Sequence, residues 1–362
     1  MGRHCLSESV LRKSRPADHF RVCAPRFAAG CAIALSASAA VLSIASSSRY
    51  AGASSVATER RNVAVRLPIR PVAITPTAQG VWIAGPRGEP AAEGAALRLD
   101  RAGRVSTNVD ALGKPVSIAA RRRVLYIGDS SSRLAAGSGV VLRLPLPRVH
   151  PATAVSVPSP SALVAGKHGV WVLTAGGSKT SMRYIPDCCK RVTVSLALPG
   201  TAPRPQLVSG AGFLWTLTAV GAPDHPSVID RVDVKTHQIT SARVAGIATA
   251  LAFGRGSLWV ATTVLRGNAT DPEIVEVNPH TFAQTVKVHI PAYEMVYGHQ
   301  CLVVASPTGL VSTVAISRGS VGHVAGSANF NVDQLAISGE TLWLANQNDM
   351  RVVRLHAPTC RS

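Results

Sequence analysis

The pentapeptide Ser257-Leu258-Trp259-Val260-Ala261 recurs in related form seven times along this chain of 362 residues. The central residues of the copies lie 44, 45, 44, 44, 44 and 40 positions apart, at Trp82, Tyr126, Trp171, Trp215, Trp259, Val303 and Trp343. All five tryptophans of the chain fall at this one position of the repeat. Strand-rich repeats with a period of about 40–50 residues are typical of β-propeller blades. The sequence therefore predicts an all-β fold, a seven-bladed β-propeller.

Each repeat predicts a blade of four antiparallel strands, a to d. In the fifth copy, residues 249–254 form strand a, 257–264 strand b, 273–277 strand c and 283–290 strand d. The loop Asn268-Ala269-Thr270-Asp271 then joins b to c. Gly254 and Gly256 frame the turn between a and b, where a positive φ is readily adopted only by glycine. Strands a and b are apolar on both faces, as expected for a sheet packed between two neighbours.

The seventh repeat lacks a fourth strand, because the chain ends at Ser362 soon after strand c at 351–355. Residues 62–69, with the sequence NVAVRLPI, precede the first repeat and have a β-like pattern. We predict that this N-terminal strand completes blade 7 and closes the ring, which removes two open sheet edges. The propeller domain then spans residues 62–362.

The first 61 residues precede the repeats. Residues 1–26 form a basic N-terminal region with Arg3, Arg12, Lys13, Arg15, Arg21 and Arg26, and residues 27–48 are uncharged. This layout is typical of a signal peptide or a signal-anchor helix. The long basic region favours an anchor, whereas the weak hydrophobicity of 27–48 favours cleavage, so both remain open. Residues 49–61 are predicted to be a linker. In either case we expect an exported propeller, secreted or anchored in the membrane through this segment and facing outwards.

The formal net charge of the whole chain is +19. The first 61 residues hold nine basic and three acidic residues, which leaves +13 for the remainder. A basic surface favours anionic partners, but the interpretation that we prefer is that arginines are spread over solvated loops. The only dense run is 121–123, and no aromatic residues alternate with it. Stacking platforms for single-stranded nucleic acid are therefore missing, and we expect no nucleic-acid partner.

Residues 254–261 read G-x-G-x-L-W-V-A, and residues 278–281 read N-P-x-T. This unit resembles the bacterial YVTN and NHL-type propeller repeats and the streptogramin (virginiamycin B) lyase group, over about residues 62–357. The resemblance implies seven-bladed architecture. In the lyases it also implies an acidic residue at the end of a strand b, a histidine at the start of a strand a, and magnesium.

This chain departs from the lyase pattern at those positions. The ends of strand b are Gly85, Asp129, Thr174, Thr218, Thr262, Ser306 and Asn346. The starts of strand a are about Val72, Val116, Ala162, Gln206, Ala250, Glu294 and Gln334. Neither set contains a histidine, and the two carboxylates lie on well-separated blades. General acid–base catalysis needs such a group within hydrogen-bond reach of the substrate. We therefore assign no catalytic residue; the alternative is a lyase-like enzyme, cleaving a carbon–oxygen bond, with a divergent active site.

The polar members of the two sets form the candidate ligand-binding residues at the channel mouth: Asp129, Thr174, Thr218, Thr262, Ser306, Asn346, Gln206, Glu294 and Gln334. Hydroxyl, amide and carboxyl groups around a mouth suit a neutral polar ligand. We predict no cofactor, and no metal site because the CxxC spacing of zinc sites is missing. The leading hypothesis is an exported, monomeric, non-enzymatic binding or scaffold module at the bacterial cell envelope. Its partner would be a protein, a glycan or a small polar ligand.

The propeller carries four cysteines, Cys188, Cys189, Cys301 and Cys360. An even number in an exported protein suggests disulfides. Cys301 opens strand b of blade 6, and Cys360 follows strand c of blade 7. A bridge between these neighbouring blades is one candidate, although strand b lies nearer the axis than strand c.

Overall fold

The computed structural model describes the propeller region, in the residue ranges 63–88, 93–131, 139–147, 149, 152–176, 179–202, 205–219, 226–306, 308–316, 320–324 and 330–360. The predicted basic region 1–26, the signal or anchor segment 27–48 and the linker 49–61 lie outside the described residues. Within those ranges, no helix is long and apolar enough to cross a membrane.

The described chain forms 28 strands. The first eight are β1 (Val63–Arg66), β2 (Ala73–Thr77), β3 (Gly80–Pro86), β4 (Gly94–Asp100), β5 (Val105–Leu112), β6 (Pro115–Arg121), β7 (Val124–Asp129) and β8 (Val140–Pro145). The next ten are β9 (Thr153–Ser156), β10 (Pro160–Gly166), β11 (Gly169–Gly176), β12 (Lys179–Pro186), β13 (Val194–Ala197), β14 (Leu207–Gly210), β15 (Phe213–Ala219), β16 (Ser227–Asp233), β17 (Ile239–Val244) and β18 (Ile247–Gly254). The last ten are β19 (Ser257–Arg266), β20 (Ala269–Val277), β21 (Gln284–Val288), β22 (Glu294–Gly298), β23 (Cys301–Ala305), β24 (Val311–Ala315), β25 (Ser320–His323), β26 (Gln334–Ser338), β27 (Thr341–Asn346) and β28 (Arg351–His356).

These strands pair into seven four-stranded antiparallel sheets, one for each repeat. Blades 1 to 6 take four consecutive strands each, from β2 to β25, and blade 7 has the order β26-β27-β28-β1. The predicted seven-bladed architecture is confirmed. Several strand boundaries differ from the prediction. The largest difference in blade 5 is that β19 and β20 extend their hairpin to Arg266 and Ala269 and convert most of the predicted 268–271 loop into strand.

The aromatic residue of strand b is the wedge between adjacent sheets. Four of the tryptophans, Trp82, Trp215, Trp259 and Trp343, are at most 1% exposed. In blade 5, Trp259 packs with Leu302 of blade 6, whereas Leu258 on the opposite face packs with Trp215 of blade 4. Both faces of strand b are thus buried, which explains why its sequence is apolar rather than alternating.

Arginines on strand c tie three pairs of blades together. Arg143 lies opposite Tyr126 in the blade 2 sheet, and Arg354 lies opposite Trp343 in blade 7. Their guanidinium groups donate to the backbone carbonyls of Asp187 in blade 3 and Arg101 in blade 1, respectively.

The third tie joins blades 4 and 5. Arg231 of blade 4 donates to the carbonyl of Pro279 at 2.7 Å. Its guanidinium carbon also lies 4.6 Å from the ring centre of Phe213 and 4.5 Å from that of Phe282, a geometry that gives cation–π attraction.

The ring closes through the N-terminal strand, as predicted. Val63, Ala64, Val65 and Arg66 of β1 pair with residues 354 to 351 of β28 in antiparallel register. The strand is shorter than predicted because Pro68 carries no backbone donor to continue the ladder. The backbone N–H of Leu67 still donates to the carbonyl of Met350 at 2.7 Å. The side chains of Leu67 and Ile69 are buried against the last and first blades.

A disulfide fastens the C-terminal segment of the propeller. Cys301 of β23 and Cys360 beyond β28 are bonded, with Cα atoms 5.3 Å apart and a sequence separation of 59 residues. It links blade 6 to the C-terminal segment that leaves blade 7. A loop of this length stabilises a fold by about 2–4 kcal/mol, mainly by restricting the unfolded chain. Cys188 and Cys189 remain as thiols, with their sulfurs 2.9 Å apart.

Deleting residues 1–70 removes β1 and the two buried side chains after it, so the edge of β28 becomes exposed. We expect a lower melting temperature and aggregation, whereas deleting 1–58 changes neither.

In the full chain, the pair Val65→Cys with Val352→Cys should crosslink intramolecularly, and the out-of-register pair Val63→Cys with Val352→Cys should not. Calorimetry and non-reducing electrophoresis measure these outcomes; a 1–70 deletion that melts like the full chain contradicts the closure.

Candidate functional site

A cavity of about 340 Å³ lies on the ring axis, where the first strands of the blades begin. All seven blades contribute to its wall, through Ala73, Ser117, Ser161, Gln206, Leu251, Glu294 and Gln334 among others. The b–c loops and the connections between blades surround this end of the ring, which we call the loop rim. The opposite end, with the a–b and c–d turns, is the turn rim.

Three of the predicted ligand-binding residues meet in this cavity. Gln206, Glu294 and Gln334 come from blades 4, 6 and 7. The amide of Gln206 is held in place, because its oxygen accepts from the backbone N–H of Leu251 at 2.8 Å and its nitrogen donates to the carbonyl of Thr249 at 3.3 Å. The predicted starts of strand a therefore do converge at the loop rim.

The six predicted residues at the ends of strand b are buried between blades instead. Asp129 is 1% exposed, and its carboxylate accepts from the backbone N–H groups of Gly113, Lys114 and Ser131 at 2.7, 2.8 and 3.1 Å. This carboxylate thus holds the connection from blade 1 to blade 2 and the loop after its own strand. Its lone pairs are occupied by the scaffold.

The other five are buried as well, and three of them bond to neighbouring residues of the scaffold. Thr174 bonds to Ser181, Ser306 to Thr308 and to the N–H of Leu310, and Asn346 to Asp349. Thr218 and Thr262 are at most 2% exposed, and neither hydroxyl bonds to any residue within the described ranges. None of the six lies on the cavity wall.

The sequence analysis missed five polar residues of the cavity, Ser117, Ser161, Tyr293, Asp333 and Gln347. Tyr293 is 39% exposed at the mouth. One carboxylate oxygen of Asp333 accepts from the N–H of Gln347 at 2.7 Å, which holds the b–c loop of blade 7 at the rim. Tyr293 and Asp333 each lie directly before a residue that was predicted, so including the residue before each strand a would have found both.

A second polar cluster lies on the extended hairpin of blade 5. Ligand-type atoms of Asp271, Glu273 and His289 lie within 4.8 Å of one another. The guanidinium of Arg266 contacts both carboxylates, and His289 Nδ1 lies 2.9 Å from Asp271. The hydrogen bond with His289 is the main reason why the pKa of Asp271 is lowered. Since a guanidinium already pairs with the carboxylates, the cluster is an ion-pair network that stabilises the hairpin.

We expect Asp129→Asn to lower the free energy of unfolding by about 1–3 kcal/mol, because an amide cannot accept all three backbone N–H bonds of the buried carboxylate. Asp110→Asn is the matched control, since Asp110 is an exposed carboxylate paired with Arg87 and such pairs contribute little. Denaturant unfolding measures both. Equal stability of the two variants would contradict the scaffold role of Asp129.

Comparison with known proteins supports the fold. No family model matches the chain, and no curated protein matches its sequence. Among solved structures, the hydrazine synthase of Kuenenia stuttgartiensis superimposes with a TM-score of 0.64 at 12% identity, over 82% of this chain and 98% of that one. A catalytically inactive virginiamycin B lyase of Staphylococcus aureus with quinupristin gives 0.61 at 15% identity, over 82% and 99%. YCF48 bound to a D1 peptide gives 0.58 at 12% identity, over 82% and 97%. At these identities the likeness is one of fold, and it places the chain with the seven-bladed propellers that its repeats resemble.

Proposed function

We propose that this chain is an exported, non-enzymatic binding module that holds a glycan at the loop-rim mouth of its central channel. The observation that carries the proposal is the convergence of Gln206, Glu294 and Gln334 from three blades, with Asp333 and Tyr293, on one cavity. The fold alone does not select this function, because its structural neighbours include enzymes as well as a propeller bound to a peptide.

The chemistry of the mouth suits sugar hydroxyls. Amide groups donate and accept, and carboxylates accept, so both can bond to the vicinal hydroxyl groups of a sugar ring. The partly exposed ring of Tyr293 offers an apolar face with a polar tip at the entrance. A cavity of about 340 Å³ is at the small end of ligand sites, which favours one terminal sugar unit over a long polymer.

Binding rather than catalysis is supported by what the polar groups already do. One oxygen of Asp333 holds the backbone of Gln347, and Gln206 holds blade 5. Asp129, one of the two carboxylates considered for acid–base work, is consumed by three backbone N–H groups. Asp333 and Gln206 thus position a fixed surface for hydrogen bonding at the mouth.

Export is supported by two independent features. The basic region 1–26 followed by the uncharged segment 27–48 has the layout of a secretory signal or signal anchor. The disulfide between Cys301 and Cys360 is a bond that persists in oxidising compartments.

On an array of bacterial and mammalian glycans, we expect the purified propeller to retain a defined set with a shared terminal sugar. Gln334→Ala and Tyr293→Ala should weaken binding to the best glycan about fivefold, the cost of one neutral hydrogen bond or contact, by calorimetry. Gln238→Ala, an exposed glutamine on the turn rim, is the control and should bind normally. Retention of no glycan, unchanged binding by Gln334→Ala, or cleavage of the retained glycan would each overturn the proposal.

Residues 1–61 fused to alkaline phosphatase, which is active only outside the cytoplasm, should give activity in intact bacteria. The control fusion replaces two residues of the uncharged segment, Leu35→Arg and Leu42→Arg, and should lose that activity because charges block membrane insertion. Equal activity of the two fusions, or none from either, would contradict export through this segment.

A further inference from the structure

The junction between blades 3 and 4 departs from a packing rule that its neighbours share. In four successive blades the last residue of strand a is glycine: Gly166, Gly210, Gly254 and Gly298. A methyl group built on Gly210 would come within 1.9 Å of the Phe253 ring, and one on Gly254 within 1.9 Å of the Tyr297 ring. The glycine is therefore required because the next blade places a large apolar side chain against it. In the same way, a methyl group built on Gly298 would come within 2.8 Å of the Ile337 side chain.

At Gly166 that side chain is missing. The residue of blade 4 equivalent to Phe253 and Tyr297 is Ser209, which precedes the last residue of β14. The three atoms nearest to a methyl group on Gly166 all belong to its own blade, with Trp171 nearest at 3.5 Å. This junction thus has a glycine facing a serine. At the next three junctions a glycine faces an aromatic ring or a branched aliphatic side chain.

The missing side chain leaves an open groove on the turn rim. Its volume is about 670 Å³, and its lining includes Gly166, Trp171, Tyr184, Ser209 and Leu214. The rings of Trp171 and Tyr184 lie 4.8 Å apart, centre to centre, and form one wall. The aromatic and aliphatic side chains of this wall favour an apolar occupant. The polar residues of the lining are Arg121, Lys167, His168, Ser209, Lys235 and His237.

The groove is edged by positive charge. Lys167 from the a–b turn of blade 3 and Lys235 from the c–d turn of blade 4 are exposed on its two sides. The nearest carboxylates are already engaged. Asp187 lies 3.3 Å from Arg121 and accepts from Tyr126, whereas Asp233 accepts from two backbone N–H groups of its own turn at 2.8 Å. Lys235 is attracted by Asp233 of its own turn, whereas Lys167 has no carboxylate partner among the described residues. Both ammonium groups are exposed and can attract an anionic partner.

We propose that this groove is a docking site for an acidic peptide segment that inserts one aromatic side chain against Gly166, Trp171 and Tyr184. The inserted ring takes the place that Phe253 and Tyr297 occupy at the next two junctions, and acidic residues on either side of it pair with Lys167 and Lys235. The groove is larger than a single ring requires, which leaves room for the peptide backbone along the rim. The site lies on the turn rim, away from the loop-rim mouth, so it stands or falls independently of glycan binding.

The test is fluorescence anisotropy of the full propeller with three labelled peptides, DEDFDED, DEDADED and KRKFKRK. The first should bind at least about tenfold more tightly than the second, the size expected for loss of a central aromatic anchor. The third should bind more weakly than the first, and added salt should weaken the first. Equal binding of the first two peptides shows charge attraction alone and overturns the proposal, as does preference for the basic peptide.

Ser209→Phe fills the groove in the manner of Phe253 and is the decisive variant. It should abolish binding of DEDFDED while leaving the melting temperature equal or higher, because a hollow is filled. Ser320→Phe, on an exposed serine of the outer strand of blade 6, is its control and should bind normally. The double reversal Lys167→Glu with Lys235→Glu should weaken binding about tenfold more than Lys114→Glu with Lys179→Glu, which changes net charge equally at exposed lysines of the loop rim. Unchanged binding by Ser209→Phe, or equal effects of the two reversals, would overturn the site.

Discussion

Each blade of this protein has two apolar faces and can cover neither of them by itself. Strand b of blade 5 shows the consequence. Trp259 is completely buried because blade 6 lies against it, and Leu258, on the other face of the strand, is completely buried because blade 4 lies against it. Every sheet thus needs a neighbouring blade on each face. All faces are covered only when the last blade packs against the first. Ring closure is therefore a condition of the fold rather than an addition to it, and β1 acts at the place where the chain would otherwise leave an open face. The Cys301–Cys360 bond fastens the segment after the last strand to blade 6.

Part of the strong positive charge has a structural explanation. Arg143, Arg231 and Arg354 each reach from strand c to a backbone carbonyl of the following blade, so they act as ties between sheets. A guanidinium suits this task because it stays charged, donates through several N–H groups and stacks on rings, as Arg231 does between Phe213 and Phe282. Net charge alone therefore overstates how much of this surface is available to anionic partners. The exposed lysines at the edge of the turn-rim groove are a better guide to where an anionic partner could bind than the net charge of the chain.

The architecture could be predicted from the sequence because one pattern repeats seven times and strand accounting leaves a single strand for closure. The site could be predicted only in part. Position along strand b indicates which end of the blade a residue lies at, but not whether its side chain faces the channel or a neighbouring sheet. Asp129 and Asn346 face the scaffold for this reason, whereas Gln206, Glu294 and Gln334 on the innermost strand reach the cavity. Tyr293 and Asp333 escaped prediction because they lie just outside the strands on which the repeat pattern is based.

In a scaffold built from equivalent blades, specific surfaces can arise only where a blade departs from the common pattern. The channel mouth illustrates this for polar groups, since the start of strand a is apolar in blades 1, 2, 3 and 5 and carries Gln206, Glu294 and Gln334 in the others. The turn rim illustrates it for packing. Ser209 costs the junction of blades 3 and 4 the contact that Phe253 and Tyr297 supply elsewhere, and the atoms nearest to a methyl group built on Gly166 belong to Trp171 and Gly169 of its own blade. From blade 4, His237 packs edge-on against Trp171, 5.9 Å between ring centres, and the groove beside it stays open. A position where the scaffold gives up its own packing rule is one where a partner can supply the missing group, so comparing equivalent positions between blades is a direct way to find candidate sites in a repeat protein.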